Sequence, residues 1–302
     1  MDFKNYLVPG KTGLLIGIGG VSMSPLAEVL HDAGLDIRGS DMAESSNTLT
    51  LREHGIPIHI GHSADNVTDD ISFVIRTAAV HDDNPEVHEA HRRGIPVFER
   101  TQAWGALMRG YQNALCISGT HGKTTTTSMC THIMMAAEKD PTVMIGGTLP
   151  LLKACHRVGK GNTIIMESCE YYNSFLALNP TIAVVLNIEA DHLDFFKDLE
   201  DIKHSFRCFA ERVPAETGTV IANYDDANTM DALRGIARKV ITFGLNAKAD
   251  VYAQNIVHRG SVSEFDIYHR GNYFARVTLH VPGIHNVRNA LAATAAAIVL
   301  GV

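Results

Sequence analysis

The sequence lacks the features expected of a membrane protein or a nucleic-acid-binding protein. No uninterrupted apolar run reaches the ~20 residues of a membrane span. The opening stretch MDFKNYLVPGKTG has no apolar core of signal-peptide length. The formal net charge of -7 leaves no general basic surface for a polyanion. These absences predict a protein without membrane insertion and without a nucleic-acid partner.

Cysteine is also scarce. The 302 residues contain five cysteines, an odd number, and none belongs to a C-x-x-C pair. Disulfide frameworks and structural zinc sites normally show paired or regularly spaced cysteines. The sequence therefore predicts reduced thiols and a cytoplasmic location. The cysteines are Cys116, Cys130, Cys155, Cys169 and Cys208.

What is present is an alternation of strand-like and helix-like segments, which is typical of parallel β-α-β units in an α/β fold. A short apolar run at 13–20 ends in glycines, and a helix is predicted at 24–34, with proline in its first turn. Further strands are predicted at 35–41, 56–60, 71–77 and 95–100. We expect a first domain over residues 1–108.

A second α/β domain is expected over residues 109–302. A strand at 114–118 precedes a helix at 123–139, which we expect despite its threonines because the flanking glycines and apolar spacing outweigh propensity. Residues 250–281 alternate and turn at Arg-Gly, as a small antiparallel sheet does, and an alanine-rich helix ends the chain. Between these segments, strands are predicted at 162–168, 181–187, 218–223 and 239–244.

The stretch SGTHGKTT at 118–125 is similar to a phosphate-binding loop, because it follows a strand and opens a helix. The usual pattern is G-x-x-x-x-G-K-[ST], whereas only two residues separate the glycines here. The loop amides and the helix N-terminus could bind phosphate, the lysine could reach the outer phosphates, and the next threonine could ligate Mg²⁺. The alternative is a tight strand-to-helix turn with a surface lysine. The candidate nucleotide-binding residues are Gly119, Thr120, His121, Gly122, Lys123, Thr124 and Thr125.

Two other predicted strands end in polar residues, where open α/β sheets bind ligands. Glu167 and Glu170 lie at and just past the end of one strand, and carboxylates suit Mg²⁺. The other strand runs into NIEADHLD at 187–194, where His192 is the weaker candidate because imidazole is not a favoured Mg²⁺ ligand. Both groups could instead be ordinary solvated loop residues.

The glycine-rich stretch GIGGVSMS at 17–24 is similar to the G-x-G-x-x-G dinucleotide fingerprint, with serine in the third glycine position. An aspartate follows about 20 residues later, after a strand, as a ribose-binding acid would. The pattern is better evidence for a diphosphate at a helix N-terminus than for a dinucleotide. The alternative is a turn that only closes a β-α-β unit. The candidate residues are Gly17, Gly19, Gly20, Ser22 and Asp41.

Two asparagines near the end of the chain, Asn286 and Asn289, are spaced to share one helix face beside His285. Their amide groups could read the edge of a base through paired donor and acceptor atoms. Spacing alone favours the simpler role of helix capping by Asn286.

Together these motifs resemble those of the Mur ligases of peptidoglycan synthesis. The matching segments occur in the family's order over almost the whole chain: IGIGGVSMSPLAEVL, GSD, DDNPEV, SGTHGKTTTT, MESCEYYNSF, NIEADHLD and PGIHNVRNALAA. The resemblance implies an N-terminal Rossmann-like parallel-sheet domain that binds a UDP-sugar. A phosphate-loop ATPase-like α/β domain with a small antiparallel sheet would follow. The family also has a C-terminal amino-acid-binding domain, and we expect this chain to end about where that domain begins.

The resemblance implies roles for residues of the second domain. Lys123 would hold the β- and γ-phosphates of ATP. Thr124 and Glu167 would ligate a first Mg²⁺, and His192 would contact a second. The implied catalytic residues are therefore Lys123, Glu167 and His192, and the implied cofactors are ATP and Mg²⁺.

It also implies how the two nucleotides are held. Asn286 and Asn289 would bind adenine. Gly19, Gly20 and the backbone around them would take the UDP diphosphate, with Asp41 at the sugar or base of that nucleotide.

The implied reaction joins L-alanine to UDP-N-acetylmuramate. ATP would phosphorylate the muramate carboxylate, and the amine of L-alanine would attack the acyl phosphate to form an amide. Three alternatives stay open: a sibling ligase that attaches a preformed peptide to the same sugar nucleotide, a nucleotide-binding protein without catalysis, and an NAD-dependent oxidoreductase.

Overall fold

The computed structural model describes residues 2–77 and 79–302, and the chain divides into two compact units. Unit 1 is Met1–Gly110 and unit 2 is Tyr111–Val302. Both are built on largely parallel sheets with helices between the strands, so the predicted α/β class is confirmed. None of the described helices is long and apolar enough to cross a membrane.

Unit 1 contains a five-stranded sheet in the order β3-β2-β1-β4-β5, and all of its strand pairs are parallel. The order reverses beside β1, which is where ligands bind in open α/β sheets. Its strands are β1 (Thr12–Ile16), β2 (Asp36–Asp41), β3 (Ile58–Ile60), β4 (Phe73–Arg76) and β5 (Val97–Glu99). Its helices are α1 (Ser24–Asp32), α2 (Ser46–Glu53), α3 (Pro85–Arg92) and α4 (Arg100–Met108), with 3-10 turns at Phe3–Tyr6 and Ala64–Asn66.

Local sequence signals explain where these elements begin. Helix α3 starts at Pro85, and the side chain of Asn84 accepts hydrogen bonds from the first free amides of the helix. Ser45 and Thr48 form a reciprocal capping box at α2. Buried aliphatic side chains of the sheet and of α3 form the core, and each contributes about 1.5–3 kcal/mol by leaving water.

Unit 2 contains a ten-stranded sheet in the order β15-β14-β13-β12-β11-β10-β6-β9-β7-β8. Its strands are β6 (Asn113–Ser118), β7 (Thr142–Leu149), β8 (Ala154–Arg157), β9 (Thr163–Glu167), β10 (Ile182–Val185), β11 (Thr219–Asn223), β12 (Lys239–Gly244), β13 (Val251–Arg259), β14 (Val262–His269) and β15 (Asn272–Leu279). Its helices are α5 (Lys123–Ala136), α6 (Leu199–Glu211), α7 (Ala227–Ala232) and α8 (Ile284–Leu300), with a 3-10 segment at Tyr171–Ala177.

The antiparallel strands are not a separate sheet. Strands β13, β14 and β15 do form the expected antiparallel meander, but β13 pairs in parallel with β12 and so extends the main sheet. The hairpin of β7 and β8 at the opposite edge was not predicted. Helix α5 ends earlier than expected because Glu138 and Asp140 adopt left-handed backbone conformations.

The threonine-rich helix α5 forms for a reason that propensity does not capture. Its hydroxyl groups bond back to the preceding turn: Thr127 Oγ1 donates to Lys123 O at 2.8 Å, and Thr131 Oγ1 donates to Thr127 O at 2.8 Å. These bonds satisfy the buried hydroxyl groups of Thr127 and Thr131, whereas the buried hydroxyl group of Thr126 has no partner among the described residues. The apolar face of the helix packs against α8, and this holds the loop before α5 close to the start of α8.

Candidate nucleotide-binding sites

The loop between β6 and α5 requires glycine at two positions. Gly119 has a φ of +145°, and an added Cβ would lie 2.8 Å from Leu186 Cβ. Gly122 has a φ of +85° at the cap of α5, and an added Cβ would lie 2.7 Å from Asn289 Oδ1. Both positions combine a left-handed backbone with close neighbours, which only glycine accommodates without strain. The shortened loop therefore has a defined shape that exposes backbone amides at the start of a helix.

A single asparagine at the end of β10 holds this loop in place. Asn187 Oδ1 accepts from His121 N at 2.8 Å, and Asn187 Nδ2 donates to His121 O at 3.0 Å. Thr120 N donates to Asn187 O at 3.1 Å, and Thr120 Oγ1 accepts from Glu189 N at 2.9 Å. Asn187 was noticed in the sequence only as one polar residue at a strand end. Its role as a clamp follows from β10 lying next to β6 in the sheet.

The side chain of Lys123 folds back onto the loop that precedes α5. Lys123 Nζ donates to Gly119 O at 2.6 Å and to Thr120 O at 3.2 Å. It also pairs with Glu170 Oε2 at 3.1 Å. Glu170 is 2% exposed, so this is a nearly buried charge pair rather than a surface salt bridge. The structure therefore places a lysine and a buried carboxylate together at the start of α5.

The first threonine of α5 and the last residue of β9 also meet. Thr124 Oγ1 donates to Glu167 Oε1 at 3.0 Å, and Glu167 Oε2 accepts from Gly146 N at 2.7 Å. A Cβ on Gly146 would lie 2.6 Å from Glu167 Oε1, so a side chain at this position of the unpredicted strand β7 would displace the carboxylate. Thr125 is the last predicted loop residue, and its hydroxyl group has no hydrogen-bond partner among the described residues.

Aromatic stacking holds His192 beside Glu170. Its ring stacks on Tyr171 with centroids 4.4 Å apart, and its Nε2 lies 3.9 Å from Glu170 Oε1. Tyr171 donates a short hydrogen bond to Asp194, and this bond to an anion is the main reason that the pKa of the phenol is raised. His192 and Tyr172 have φ values of +52° and +53°, an uncommon backbone that often marks functional sites.

The oxygen-rich arrangement fits Mg²⁺. Among residues 2–77 and 79–302, no group of three or more histidine, cysteine or acidic side chains is close enough together to hold a metal ion. Mg²⁺ does not require such a cage, because it commonly uses one or two protein oxygens together with water and substrate phosphates. The hydroxyl group of Thr124 and the carboxylate of Glu167 are such oxygens.

A cavity of about 330 Å³ lies between this loop and the start of α8. His121, Asn187 and Asn289 line it, together with His285 and Arg288. Asn289 Nδ2 donates to the side-chain oxygen of Asn286 at 3.2 Å, and Asn286 Nδ2 donates to a backbone carbonyl at 2.7 Å. Asn289 thus reaches the cavity, whereas Asn286 does not line it and instead supports Asn289. The helix cap itself is Gly283, so the capping role considered for Asn286 is not what the structure shows.

Unit 1 has its own cavity, of about 670 Å³, at the carboxyl end of β1. Gly17, Gly19, Gly20 and Asp41 line it, and Gly19 N donates to Asp41 Oδ2 at 2.8 Å. Gly17 has a φ of +77°. Ser22 does not line the cavity, because its side chain bonds to Arg100 in a short contact. Four of the five predicted residues are therefore brought together.

Two residues of this cavity region were not predicted. His62 lines the cavity, and its Nδ1 lies 2.7 Å from Oε2 of Glu86, which is fully buried. No spacing pattern connects these two residues in the sequence.

All five cysteines are free in the described structure. Cys116 and Cys130 are buried, and burial raises the pKa of both thiols to about 12.

Comparison with known proteins agrees with this picture. The Mur ligase middle domain profile matches residues 117–297, and the profile described as Mur ligase family, catalytic domain matches residues 15–112. The chain belongs to the Mur ligase family.

Its curated relatives include proteins named UDP-N-acetylmuramate–L-alanine ligase. One from Agathobacter rectalis is 46% identical over 287 residues, which cover 95% of this chain and 62% of the relative. One from Clostridium novyi is 44% identical and covers 100% of this chain and 65% of the relative. The chain therefore spans less than two thirds of the length of these relatives.

Solved structures give the same grouping. A UDP-N-acetylmuramate-alanine ligase from Thermotoga maritima superposes with a TM-score of 0.79 at 31% identity, covering 96% of this chain and 65% of the other. A UDP-N-acetylmuramate:L-alanyl-gamma-D-glutamyl-meso-diaminopimelate ligase from Neisseria meningitides superposes with a TM-score of 0.85 at 26% identity, covering 97% and 94%.

Proposed function

We propose that this chain carries the two nucleotide sites of an enzyme that joins L-alanine to the carboxylate of UDP-N-acetylmuramate with hydrolysis of ATP. The observation that carries the proposal is the group formed by Lys123, Glu170, Thr124 and Glu167 at neighbouring strand ends. Identity of 44–46% to proteins named for this reaction supports the choice of substrates. Five free thiols support a location in the reducing cytoplasm.

Unit 1 would bind the UDP-sugar. Gly17, Gly19 and Gly20 line the cavity just before α1, and the partial positive charge of a helix N-terminus favours a diphosphate there. Asp41 Oδ2 already accepts from Gly19 N, and Oδ1, which accepts a long bond from Ala43 N at 3.5 Å, would also accept from the ribose or the base. Ser22 would act indirectly, through its bond to Arg100 in α4.

Unit 2 would bind ATP. The amides at the start of α5, from Gly122 to Thr125, would bind the phosphates, because those of Thr120 and His121 are already bonded to Asn187. Lys123 would exchange its contacts with loop carbonyls for phosphate oxygens. Asn289, supported by Asn286, would contact adenine in the smaller cavity. Thr124 and Glu167 would hold a first Mg²⁺, and His192 would lie near a second. Bound Mg²⁺ supplies neutralisation of phosphate charge.

The reaction has two steps, phosphoryl transfer and amide formation. An oxygen of the muramate carboxylate attacks the γ-phosphorus of ATP, the bond to the β-phosphate breaks, and ADP leaves with the electron pair. The amine of L-alanine then attacks the acyl carbon, an amide bond forms, and phosphate leaves as the amine loses a proton. In the first step, Lys123 stabilises charge that develops on the transferred phosphoryl oxygens, and the rigid loop keeps the phosphates in position.

A crossed substitution experiment tests the assignment. Calorimetry would measure binding of UDP-N-acetylmuramate and of Mg²⁺-ATP to the chain and to two variants. Lys123→Ala should lose at least tenfold in ATP affinity because a cation leaves the phosphates, and it should keep the UDP-sugar affinity. Asp41→Ala should show the reverse pattern.

The matched control is Lys248→Ala, which removes an exposed lysine of unit 2 and should change neither affinity. Equal loss of both ligands in either variant would mean that folding was damaged and would refute the assignment of that residue. Binding of NAD in place of UDP-N-acetylmuramate would overturn the substrate proposal and favour an oxidoreductase.

The structural similarity to the Neisseria protein, whose TM-score is 0.85, keeps a peptide-adding ligase as a second candidate. Both candidates share the sugar nucleotide and ATP, so only the amine substrate separates them. Amide formation with L-alanine but not with the tripeptide L-alanyl-γ-D-glutamyl-meso-diaminopimelate would support the first candidate, and the opposite preference would support the second.

A further inference from the structure

A buried carboxylate lies directly beneath the cavity of unit 1. Glu86, in the first turn of α3, is 0% exposed. Its Oε2 accepts from Ser40 Oγ at 2.8 Å and lies 2.7 Å from His62 Nδ1, while its Oε1 accepts from Asn66 Nδ2 at 2.6 Å. Such complete satisfaction is needed because an unpaired buried carboxylate is very costly.

The same group is tied to the glycine loop. Ser40, at the end of β2, bonds to Glu86 through its hydroxyl group, and its carbonyl oxygen accepts from Gly17 N at 2.8 Å and from Ile18 N at 3.0 Å. Gly61 N donates to the carbonyl of Asp41 at 2.8 Å, which brings the following residue, His62, over the end of β2. Three separated segments therefore fix one imidazole ring relative to the loop.

Only one ring nitrogen of His62 has a described hydrogen-bond partner. The Nδ1 atom of His62 is engaged by Glu86 and Ser40, the side chain is 13% exposed, and the residue lines the cavity. Because Nδ1 is already engaged, Nε2 is the ring nitrogen available to a ligand. A carboxylate on one nitrogen fixes the tautomer and orientation of the ring, as in many functional histidines.

The cavity offers few other cations. None of the described residues that line it is a lysine or an arginine, and its histidines are His62 and His81. His81 is exposed, whereas His62 is anchored. The acidic side chains Asp41, Glu44 and Asp83 also line the wall, so among these side chains a histidine must provide the attraction for an anion.

We propose that His62 binds the diphosphate of the sugar nucleotide through Nε2–H, as an imidazolium shared between Glu86 and a phosphate oxygen. Glu86 is then a positioning residue, which holds the ring and balances its charge. The inference rests on the proposed function, because it concerns the same UDP-N-acetylmuramate site and names a further residue that recognises the diphosphate.

The test uses the whole chain labelled with ¹⁵N-histidine and titrated with UDP. The His62 ring signals are assigned by their absence in His62→Asn. With saturating UDP at neutral pH, both ring nitrogens of His62 should show the chemical shifts of a doubly protonated imidazolium, and Nε2 should shift on binding. In Glu86→Gln these shifts should be lost, a spectroscopic change that a merely structural role for Glu86 would not produce.

Affinities give the second readout. His62→Asn should weaken UDP binding about tenfold, since one charge-assisted hydrogen bond is removed. Glu86→Gln should weaken it by a similar factor, and the double variant should lose little more, because both act through one contact. His88→Asn, on the exposed face of α3, is the matched control and should leave affinity unchanged.

The outcomes separate the two proposals. If the unsubstituted chain binds neither UDP nor UDP-N-acetylmuramate, the proposed function fails. If UDP binds but the His62 signals do not respond, or if His62→Asn binds UDP normally, the sugar-nucleotide site stands and the role of His62 is refuted. If the unliganded Glu86→Gln variant loses unit 1 structure by circular dichroism, His62→Asn alone decides.

Discussion

The pair of Lys123 and Glu170 allows a quantitative prediction for Glu170→Gln. The two charges are 3.1 Å apart, and their side chains are 15% and 3% exposed. At an effective dielectric constant of about 20, their attraction is about 5 kcal/mol before desolvation is subtracted. Breaking a buried pair usually costs about 3–5 kcal/mol. Because glutamine keeps a hydrogen-bond acceptor for the lysine, we expect a loss of about 2 kcal/mol.

The assay is differential scanning calorimetry, in which the unit 2 transition is identified by its upward shift with Mg²⁺-ATP. For a domain of this size, about 1 kcal/mol corresponds to 2–4 °C, so the midpoint should fall by about 4–8 °C. Glu216→Gln removes an exposed carboxylate of unit 2 and should change the midpoint by less than about 1 °C. A shift in Glu170→Gln no larger than in this control would refute the buried ion pair.

Three further predictions follow from local geometry. Gly122→Ala puts a methyl group 2.7 Å from Asn289 Oδ1 at a φ of +85°, so the affinity for ATP measured by calorimetry should fall about tenfold. The control Gly235→Ala has a φ of +67° and no close neighbour, and it should leave that affinity unchanged. The arginines three and four residues after Glu89 lower its pKa from 4.5 to about 2. Because the pKa of Glu89 is depressed in the folded state, the ionised carboxylate stabilises the fold above pH 4.5, and this stabilisation is lost as the pH falls toward 2. The melting temperature of Glu89→Gln should therefore lie below that of the unsubstituted chain at pH 7 and converge with it near pH 2. The two buried cysteines of β6 and α5 have pKa values near 12. At pH 8 the native chain should therefore react with Ellman's reagent at no more than three thiols, and the unfolded chain should react at five. Rapid reaction of all five thiols in the native chain would contradict the burial of these two.

Much of the architecture could be predicted from local patterns. The alternation of strands and helices indicates parallel β-α-β units, and the β6–Gly–Lys–Thr–α5 order indicates a phosphate loop because each signal is contained in one short segment. The position of Glu167 and His192 at or after the ends of predicted strands also predicts that they lie near that loop, since parallel strands end at one edge of a sheet.

The features that escaped prediction depend on tertiary contacts. Strand β7 contains Gly146 and Gly147, which local propensity disfavours in strands, yet Gly146 lies beside Glu167 and donates to its carboxylate. The clamp by Asn187 arises from sheet order, and the contact of His62 with Glu86 joins residues 24 positions apart. Patterns of spacing within one element cannot show which residues meet between elements.

The most direct test of the central claim is hydrogen–deuterium exchange of the whole chain with each nucleotide. Two separate sites predict that UDP-N-acetylmuramate slows exchange in peptides covering 17–24, and that Mg²⁺-ATP slows exchange in peptides covering 119–125. Protection of 119–125 by the UDP-sugar, or protection of 17–24 by NAD but not by the UDP-sugar, would contradict the account.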